Sequence, residues 1–348
     1  MAIPYRTRRR LQRLGSIGLF LLVLFVLSWL CWVIWVERHI VYTREGATID
    51  FSLSAEIPSG QVALPPSAGE GPEIHYNEGE NAVNTSTELQ QLKGYYITYE
   101  MMVEDMAKVQ DLVNKLPTNT PVMIDMKGGY GSFFYSSDLA DAVISTSVNV
   151  QAVDSLIELM LQKNLYPIAR ISAFQDYSYA LKHVTSGIPF TGGGGALWMD
   201  TEGYYWLKPT DSSVLGWISS IVLELRGRGF KEVVLDDFNV PESQRVVYST
   251  DRITDLTAAA NTLARNCATN TFTLSFTVPS ASFTLPEARC RMYLSNVPAR
   301  DVEITAAQTT VTDPEIRMVF IADSSDTRFD KFGVFRSLEM LEEETTTN

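Results

Sequence analysis

The chain is poor in the residues that usually bind transition metals. It has only three histidines and three cysteines among 348 residues. The histidines, His39, His75 and His183, do not have metal-ligand spacing with one another or with a cysteine. This scarcity argues against a zinc site, and no other motif indicates a metal or an organic cofactor. Cys267 and Cys290 could form a disulfide bond outside the cytoplasm or remain buried thiols, and the sequence leaves both open.

Motifs for several common activities are also absent. The four glycines at 192–195 are not followed by Lys-Ser/Thr, and no Gly-x-Gly-x-x-Gly opens a helix, which excludes the usual phosphate-binding loops. No Gly-x-Ser-x-Gly elbow indicates a serine hydrolase. The net charge is -13, and a surface this acidic repels polyanions, so we expect no nucleic-acid partner. The first five charged residues are nevertheless all basic: Arg6, Arg8, Arg9, Arg10 and Arg13.

A long uncharged run follows this basic tail at 1–14. Residues 15–36 contain no charged side chain, and a helix rising about 1.5 Å per residue would carry them across a bilayer core of roughly 30 Å. The basic tail should stay cytoplasmic, and Trp29, Trp32 and Trp35 fit an outer interfacial belt. The run is too long for a cleaved signal peptide and lacks its cleavage site. We therefore expect a single-pass protein of the cell membrane whose remaining residues are extracytoplasmic.

Three segments follow the predicted span. Residues 37–92 are rich in Pro, Gly, Ser, Glu and Asn and should form an extracytoplasmic linker. Between 93 and 340, strand-like and helix-like patterns alternate, which is typical of parallel α/β folds, and 341–348 should be a disordered tail. The predicted strands are 94–98, Pro121–Lys127, 166–174, 232–235, 271–278, 290–295, 315–321 and 332–336. Seven or eight such units predict a TIM (β/α)8-type barrel with less regular C-terminal strands; a doubly wound open sheet is the alternative.

Charged residues occur late in three of these strands. Because side chains alternate along a strand, Asp125 and Lys127 should share one face of the second strand. Arg170 and Asp236 should occupy the matching faces of the next two. If these faces line the barrel, the four side chains converge at the carboxyl ends of the strands, where TIM-barrel active sites lie. The alternative is an internal layer of ion pairs, since an unpaired buried carboxylate is costly.

Four motifs occur in order along the chain. They are Ile124-Asp125-x-Lys127 with Gly131 and Tyr135; Tyr166-Pro167-Ile168-Ala169-Arg170-Ile171 with Phe174 and Asp176; Trp198-x-Asp200 with Gly203, Trp206 and Pro209; and Gly229-Phe230-x-Glu232-Val233 with Asp236 and Pro241. With these motifs, residues 93–241 resemble a glycoside-hydrolase-like family of membrane-anchored bacterial TIM-barrel proteins. The resemblance implies a TIM barrel, relatedness to enzymes acting on glucan-like or cell-wall sugars, and Asp236 as the acid at the end of a strand.

Glycoside hydrolysis normally requires two carboxyl groups, about 5 to 5.5 Å apart in retaining enzymes and about 6.5 to 9.5 Å apart in inverting ones. Asp236 is the first candidate, as nucleophile or base. The proton donor could be Asp125, Asp176 or Asp200, and the sequence does not distinguish them. Asp237 is disfavoured because strand alternation directs adjacent side chains to opposite faces.

Other residues are candidates for binding a sugar or for controlling charge. Lys127 and Arg170 are expected to hold the charge state of the carboxylates. Aromatic rings match the C–H face of a pyranose, although each tryptophan could equally pack against the barrel. The expected substrate-binding residues are Lys127, Arg170, Trp198, Asp200 and Trp206, with Tyr130 and Tyr204 as further rings that could stack on sugars.

The sequence favours a cell-surface protein that hydrolyses glycosidic bonds of a cell-wall or extracellular polysaccharide by carboxylate acid/base catalysis. The alternative is a catalytically degenerate barrel that binds a glycan or an envelope partner. It is motivated by the segment 237–241, which lacks the aromatic residue and the arginine of the family pattern. A third hypothesis is a structural envelope protein with internal salt bridges, which complete burial of Asp236 would favour.

Overall fold

The computed structural model describes residues 40–43, 46–49, 88–278 and 283–341. The chain divides into two compact units, Met1–Gly79 and Glu80–Asn348. In the first unit, the strands Ile40–Thr43 and Gly46–Ile49 pair in antiparallel fashion. The predicted basic tail, the predicted span at 15–36 and most of the predicted linker and tail lie outside the described residues, so these segment boundaries stay predictions. None of the helices within the described ranges combines the length and apolarity needed to cross a bilayer.

In the described part of the second unit, eight parallel strands form a closed ring. They are β1 (Lys93–Ile97), β2 (Pro121–Lys127), β3 (Tyr166–Ser172), β4 (Glu232–Asp236), β5 (Thr273–Thr277), β6 (Met292–Ser295), β7 (Met318–Ala322) and β8 (Gly333–Ser337). Each strand pairs in parallel with the next, and β8 pairs with β1. This closure confirms the predicted TIM-type barrel, and the open-sheet alternative is wrong.

Helices surround the ring. They are α1 (Tyr99–Glu104), α2 (Met106–Lys115), α3 (Val150–Gln162), α4 (Tyr177–Lys182), α5 (Ser212–Gly227), α6 (Arg252–Cys267), α7 (Val302–Gln308) and α8 (Pro314–Arg317). Several begin at a side chain that accepts a hydrogen bond from an otherwise unpaired backbone N–H group. Asn149 caps α3 and Asp251 caps α6 in this way. The helices bury one apolar face against the strands, as their hydrophobic periodicity predicts.

The barrel has an apolar interior and a polar network at the amino ends of its strands. The inner cluster comprises Leu92, Tyr96, Met123, Ile168, Val234, Tyr293, Val319 and Phe335. At the start of β4, the fully buried Glu232 forms a salt bridge with Arg291. Its carboxylate also accepts hydrogen bonds from the Ser275 hydroxyl, at 2.6 Å, and the Tyr293 hydroxyl, at 3.0 Å. The apolar cluster separates this polar network from the charged residues at the carboxyl ends of the strands.

Candidate active site

Charged residues from β2, β3 and β4 meet at the carboxyl end of the barrel. The Nε atom of Arg170 lies 2.7 Å from Asp125 Oδ1 and 3.4 Å from Asp236 Oδ2. The strand register explains this meeting, because Asp125 pairs with Arg170 across β2 and β3, and Ser172 pairs with Asp236 across β3 and β4. The side chain of Asp236 is 21% exposed. It therefore lies at an open position and not in a sealed core.

Asp125 anchors Arg170 from the buried side of this group. Its carboxylate accepts hydrogen bonds from the Tyr96 hydroxyl at 2.8 and 2.9 Å and from the Tyr99 backbone N–H at 2.9 Å. Burial raises the pKa of Asp125, while the Arg170 charge and the hydrogen bonds oppose that rise. Burial also disfavours the charged guanidinium, but Asp125 and Asp236 outweigh it and raise the pKa of Arg170. The guanidinium therefore stays charged between the two carboxylates.

Lys127 does not join Arg170, contrary to the predicted convergence of four charges. The β2–β3 register shifts between Asp125 and Lys127, which places Lys127 opposite Ile171. This β-bulge adds one residue to β2 and breaks the alternation on which the prediction rests. The Lys127 Nζ atom instead lies 3.0 Å from Asp176 Oδ2 and donates to the Ser172 carbonyl at 2.8 Å.

Asp176 and Asp200 both have several hydrogen-bond donors around their carboxylates. Asp176 caps α4 by accepting from the Tyr179 N–H at 2.8 Å, and the Trp217 indole N–H is 3.3 Å from its other oxygen. The donors to Asp200 are the backbone N–H groups of Glu202 and Tyr204, the Trp206 indole and the Gln175 amide, at 2.7 to 3.3 Å. Both carboxylates thus hold the loop after β3 in place.

The aromatic candidates differ in how much of each ring is open. Trp198 and Trp206 are 9% and 8% exposed and pack within the outer core, so neither offers a ring face to a sugar. Tyr130 is 51% exposed, and its ring centroid lies 4.5 Å from that of Tyr204. Burial and the nearby Tyr130, Glu202 and Asp237 raise the pKa of Tyr204, which indicates that this ring is within electrostatic reach of Asp237.

Asp237 belongs to the site, although strand alternation argues against it. Strand β4 ends at Asp236, and Asp237 adopts the left-handed conformation with φ of 50°. Its Oδ2 atom lies 2.6 Å from the Ser172 hydroxyl. Burial raises the pKa of Asp237 to about 6, and the charge of Asp236 adds to this effect. The signal in the sequence is the Asp-Asp doublet at a strand end, because alternation no longer applies after the last paired residue and Asp tolerates the left-handed region.

The site therefore holds two adjacent carboxyl groups in different environments. Asp236 is paired with a guanidinium, whereas Asp237 is partly buried beside a negative charge. Such differences allow one carboxyl to act as an acid while its neighbour stays ionised.

Within the described ranges, no group of three or more His, Cys, Asp or Glu side chains could hold a metal ion. Cys267 and Cys290 are buried free thiols, so they do not form a disulfide bond.

Several solved structures share features with the chain at low sequence identity. A hypothetical protein from Ruminiclostridium thermocellum is 19% identical over 53% of this chain and 96% of its own, with a TM-score of 0.45. A family 20 exo-β-N-acetylglucosaminidase from Vibrio harveyi is 8% identical over 71% of this chain and 50% of its own, with a TM-score of 0.47. A family 36 α-galactosidase from Geobacillus stearothermophilus is 10% identical over 74% of this chain and 41% of its own, with a TM-score of 0.49. The chain thus aligns with half or less of each glycoside hydrolase. The assignment of the barrel fold depends on the strand pairings of this chain and not on these similarities.

A search of curated proteins finds no match. One protein-family profile does match the chain, over residues 94–272. That segment runs from the second residue of β1 past the end of β4 and contains the loops that carry the candidate site and all four motifs that resemble a glycoside-hydrolase-like family. It is just over half of the 348 residues, and the chain therefore belongs to the family described as "Putative glycosyl hydrolase domain".

Proposed function

We propose that this barrel hydrolyses glycosidic bonds of a cell-wall or extracellular polysaccharide by acid/base catalysis between two carboxyl groups. The observation that carries the proposal is the pair of neighbouring carboxyls at the carboxyl end of β4. Asp236 is ion-paired and partly exposed, and Asp237 has a pKa raised to about 6 by burial and by Asp236. Membership of a glycosyl hydrolase family supports the reaction class.

In this mechanism Asp237 gives its proton to the glycosidic oxygen as the bond from that oxygen to the anomeric carbon breaks. Asp236, as nucleophile or base, faces the positive charge that develops on the sugar ring. It either attacks the anomeric carbon, with water hydrolysing the intermediate later, or takes a proton from the attacking water. Arg170 positions the Asp236 carboxylate through their 3.4 Å contact.

The geometry supports Asp237 over the three proton donors that the sequence suggests. The nearest oxygens of Asp125 and Asp236 lie no more than about 6 Å apart, since both contact Arg170 Nε, and this limit does not exclude the separation found in retaining enzymes. The guanidinium lies between them, however, and would obstruct a sugar placed there. Asp176 is ion-paired with Lys127 in the protein interior, and Asp200 accepts from four donors.

The substrate class follows from the rings and charges around the site. Tyr130 and Tyr204 offer partly open rings near Asp237, which suit stacking against a pyranose. The cations of the site are already paired, Arg170 with two aspartates and Lys127 with Asp176. A polyanionic glycan would find no unpaired cation among these residues, so we propose a neutral or amino-sugar polysaccharide.

The barrel would act outside the cytoplasm, anchored by the predicted span at 15–36. The support for this location comes from the sequence, which has an uncharged run after five arginines. A polysaccharide too large to enter the cell fits a site on that side of the membrane.

The test uses the full-length protein, purified in mild detergent and incubated with a panel of cell-wall and extracellular polysaccharides. Release of reducing ends is expected from at least one neutral or amino-sugar polymer. Asp236→Asn and Asp237→Asn should each lower turnover by about a hundred- to ten-thousandfold. Asp111→Asn, which removes an exposed carboxylate on α2, should not. Full activity of the Asp236→Asn variant would refute the assignment.

A second candidate function is glycan binding without hydrolysis. The observation that favours it is that β5, β6 and β8 end on Thr277, Ser295 and Ser337, so these strand ends supply no further carboxylate. The same panel separates the two functions. Capture of a polysaccharide with no new reducing ends supports binding, whereas released ends exclude a purely binding role.

A further inference from the structure

Ser172 lies at the end of β3, and its hydroxyl touches two oxygen atoms at once. The Oγ atom is 2.7 Å from the Gln175 backbone carbonyl oxygen and 2.6 Å from Asp237 Oδ2. Ser172 is buried, so water does not compete freely for these contacts. Both distances are in the range of good O–H···O hydrogen bonds.

The number of protons decides how these contacts can form. A serine hydroxyl has one proton to donate, and a backbone carbonyl has none. If Asp237 were ionised, the single Ser172 proton would have to serve two acceptors, and one oxygen pair would lie in repulsive contact. Both hydrogen bonds form only if Asp237 carries a proton and donates it to Ser172 Oγ, while Ser172 donates its own proton to the Gln175 carbonyl.

We infer that Ser172 is a positioning residue that stores the acid proton of Asp237 through the hydrogen-bond chain Asp237–Ser172–Gln175 carbonyl. The catalytic use of the proton rests on the proposed function, whereas its location does not.

The groups around Asp237 are consistent with a stored proton. The negative charge of Asp236 favours the neutral acid, and burial acts in the same direction. A hydrogen bond donated by Ser172 to the carboxylate would lower the Asp237 pKa, as the charges of Arg170 and Lys127 do. The Ser172 hydroxyl is, however, also within hydrogen-bond distance of the Gln175 carbonyl, and each cation is already paired with another aspartate. Tyr204, from the loop after β3, is a neutral phenol nearby. Ser172 completes this environment by accepting the proton.

The experiment follows the side-chain carboxyl carbon of Asp237 by nuclear magnetic resonance in full-length protein carrying labelled aspartate. The signal is assigned by its loss in Asp237→Asn. Ser172→Ala should lower the Asp237 pKa by about one unit, because the acid form loses the acceptor for its proton. Ser172→Thr keeps the hydroxyl and should leave the pKa near that of the unaltered protein. A rise in the pKa of Ser172→Ala would overturn the inference, because it would mean that the hydroxyl donates to the carboxylate.

A second measurement does not depend on whether Ser172→Ala folds. The infrared spectrum of the unaltered protein at pH 5 should contain the band of a protonated carboxyl group that is missing in Asp237→Asn, and absence of this band would also overturn the inference. Neither measurement uses a substrate. If no polysaccharide is cleaved but the titration is as expected, the proposed function fails and the stored proton stands. If cleavage occurs and Ser172→Ala raises the Asp237 pKa, the proposed function is supported and the inference about Ser172 fails.

Discussion

Lys127 and Asp176 form a salt bridge of 3.0 Å between Nζ and Oδ2 in which each side chain is only 1% exposed. The pair joins the end of β2 to the start of α4, where Asp176 is also the helix cap. Each charge offsets the desolvation cost of the other, because a single buried charge would have no partner to compensate for its lost contact with water. The pair therefore fixes the start of the loop after β3, which carries Gln175 and Tyr204.

Replacing Lys127 by Met should lower the free energy of unfolding by about 3 to 5 kcal/mol, because Asp176 is left buried without a counter-charge. Lys331→Met breaks an exposed pair with Glu303 and should change the same quantity by less than about 1 kcal/mol. Urea denaturation of both variants measures the difference. Equal effects would mean that the interior pair contributes no more than a surface pair.

Asp237→Asn should make the barrel more stable at neutral pH. The folded pKa of Asp237 is about 6, above the ordinary value of about 3.9, so its contribution to stability is present below pH 4 and is lost as the pH rises through 6. The variant avoids that loss, and its advantage should grow from about zero at pH 4 to about 3 kcal/mol at pH 8. Urea midpoints across this pH range measure the advantage, with Asp111→Asn as the control for one lost charge. An advantage that does not change with pH would contradict the raised pKa.

Gly94→Ala should disrupt the ring of strands. A Cβ atom at this position of β1 would lie 2.1 Å from the Pro121 carbonyl oxygen in β2 and 2.9 Å from the Phe335 ring in β8. Backbone in a paired strand cannot move aside cheaply, so we expect a loss of about 3 kcal/mol or failure to fold. Gly216→Ala is the matched control, because nothing lies within 4 Å of its Cβ on α5. It should stabilise the protein by about 0.5 to 1 kcal/mol, and thermal unfolding of the two variants tests both signs.

Tyr130→Ala should weaken the binding of an oligosaccharide by about fivefold, because a stacked ring contributes roughly 1 kcal/mol. Tyr130→Phe keeps the ring and should bind like the unaltered protein. Isothermal titration with an oligosaccharide from a polymer that the protein cleaves or captures gives both constants. Unchanged affinity in Tyr130→Ala would show that sugars do not stack on this ring.

The barrel could be predicted from the sequence because hydrophobic periodicity and helix caps act locally. The bounds of β2 are the predicted ones. The apolar periodicity also predicts helices at 150–162 and 252–267, which are the bounds of α3 and α6. The apolar pattern from 103 to 116 predicts one helix, but α1 ends at Glu104 and α2 begins at Met106. Asp105 lies between them, and its side chain accepts from the Lys108 N–H. An apolar stripe does not reveal such a break, and its first residue, Val103, is 46% exposed whereas the neighbouring Met102 is buried.

The convergence of Asp125, Arg170 and Asp236 could also be predicted, because strand register places them side by side. The partner of Lys127 could not, since a β-bulge depends on how β2 and β3 pair and leaves no mark in the alternation. The place of Asp237 in the site could not be predicted for a related reason. Its side-chain direction is set by a left-handed backbone after the strand ends, and strand alternation does not extend to that position.

The pairing of β8 with β1 has a consequence for the biosynthesis of this domain. Residues 333–337 form the last strand of the ring in chain order, so β1 lacks one of its two neighbours until all the other strands of the ring have been translated. During that time the nascent sheet has two bare edges with free N–H and C=O groups, which invite pairing with other chains. Chaperones that shield unfinished sheets should therefore matter more for the yield of this protein than for that of a domain built from neighbouring hairpins.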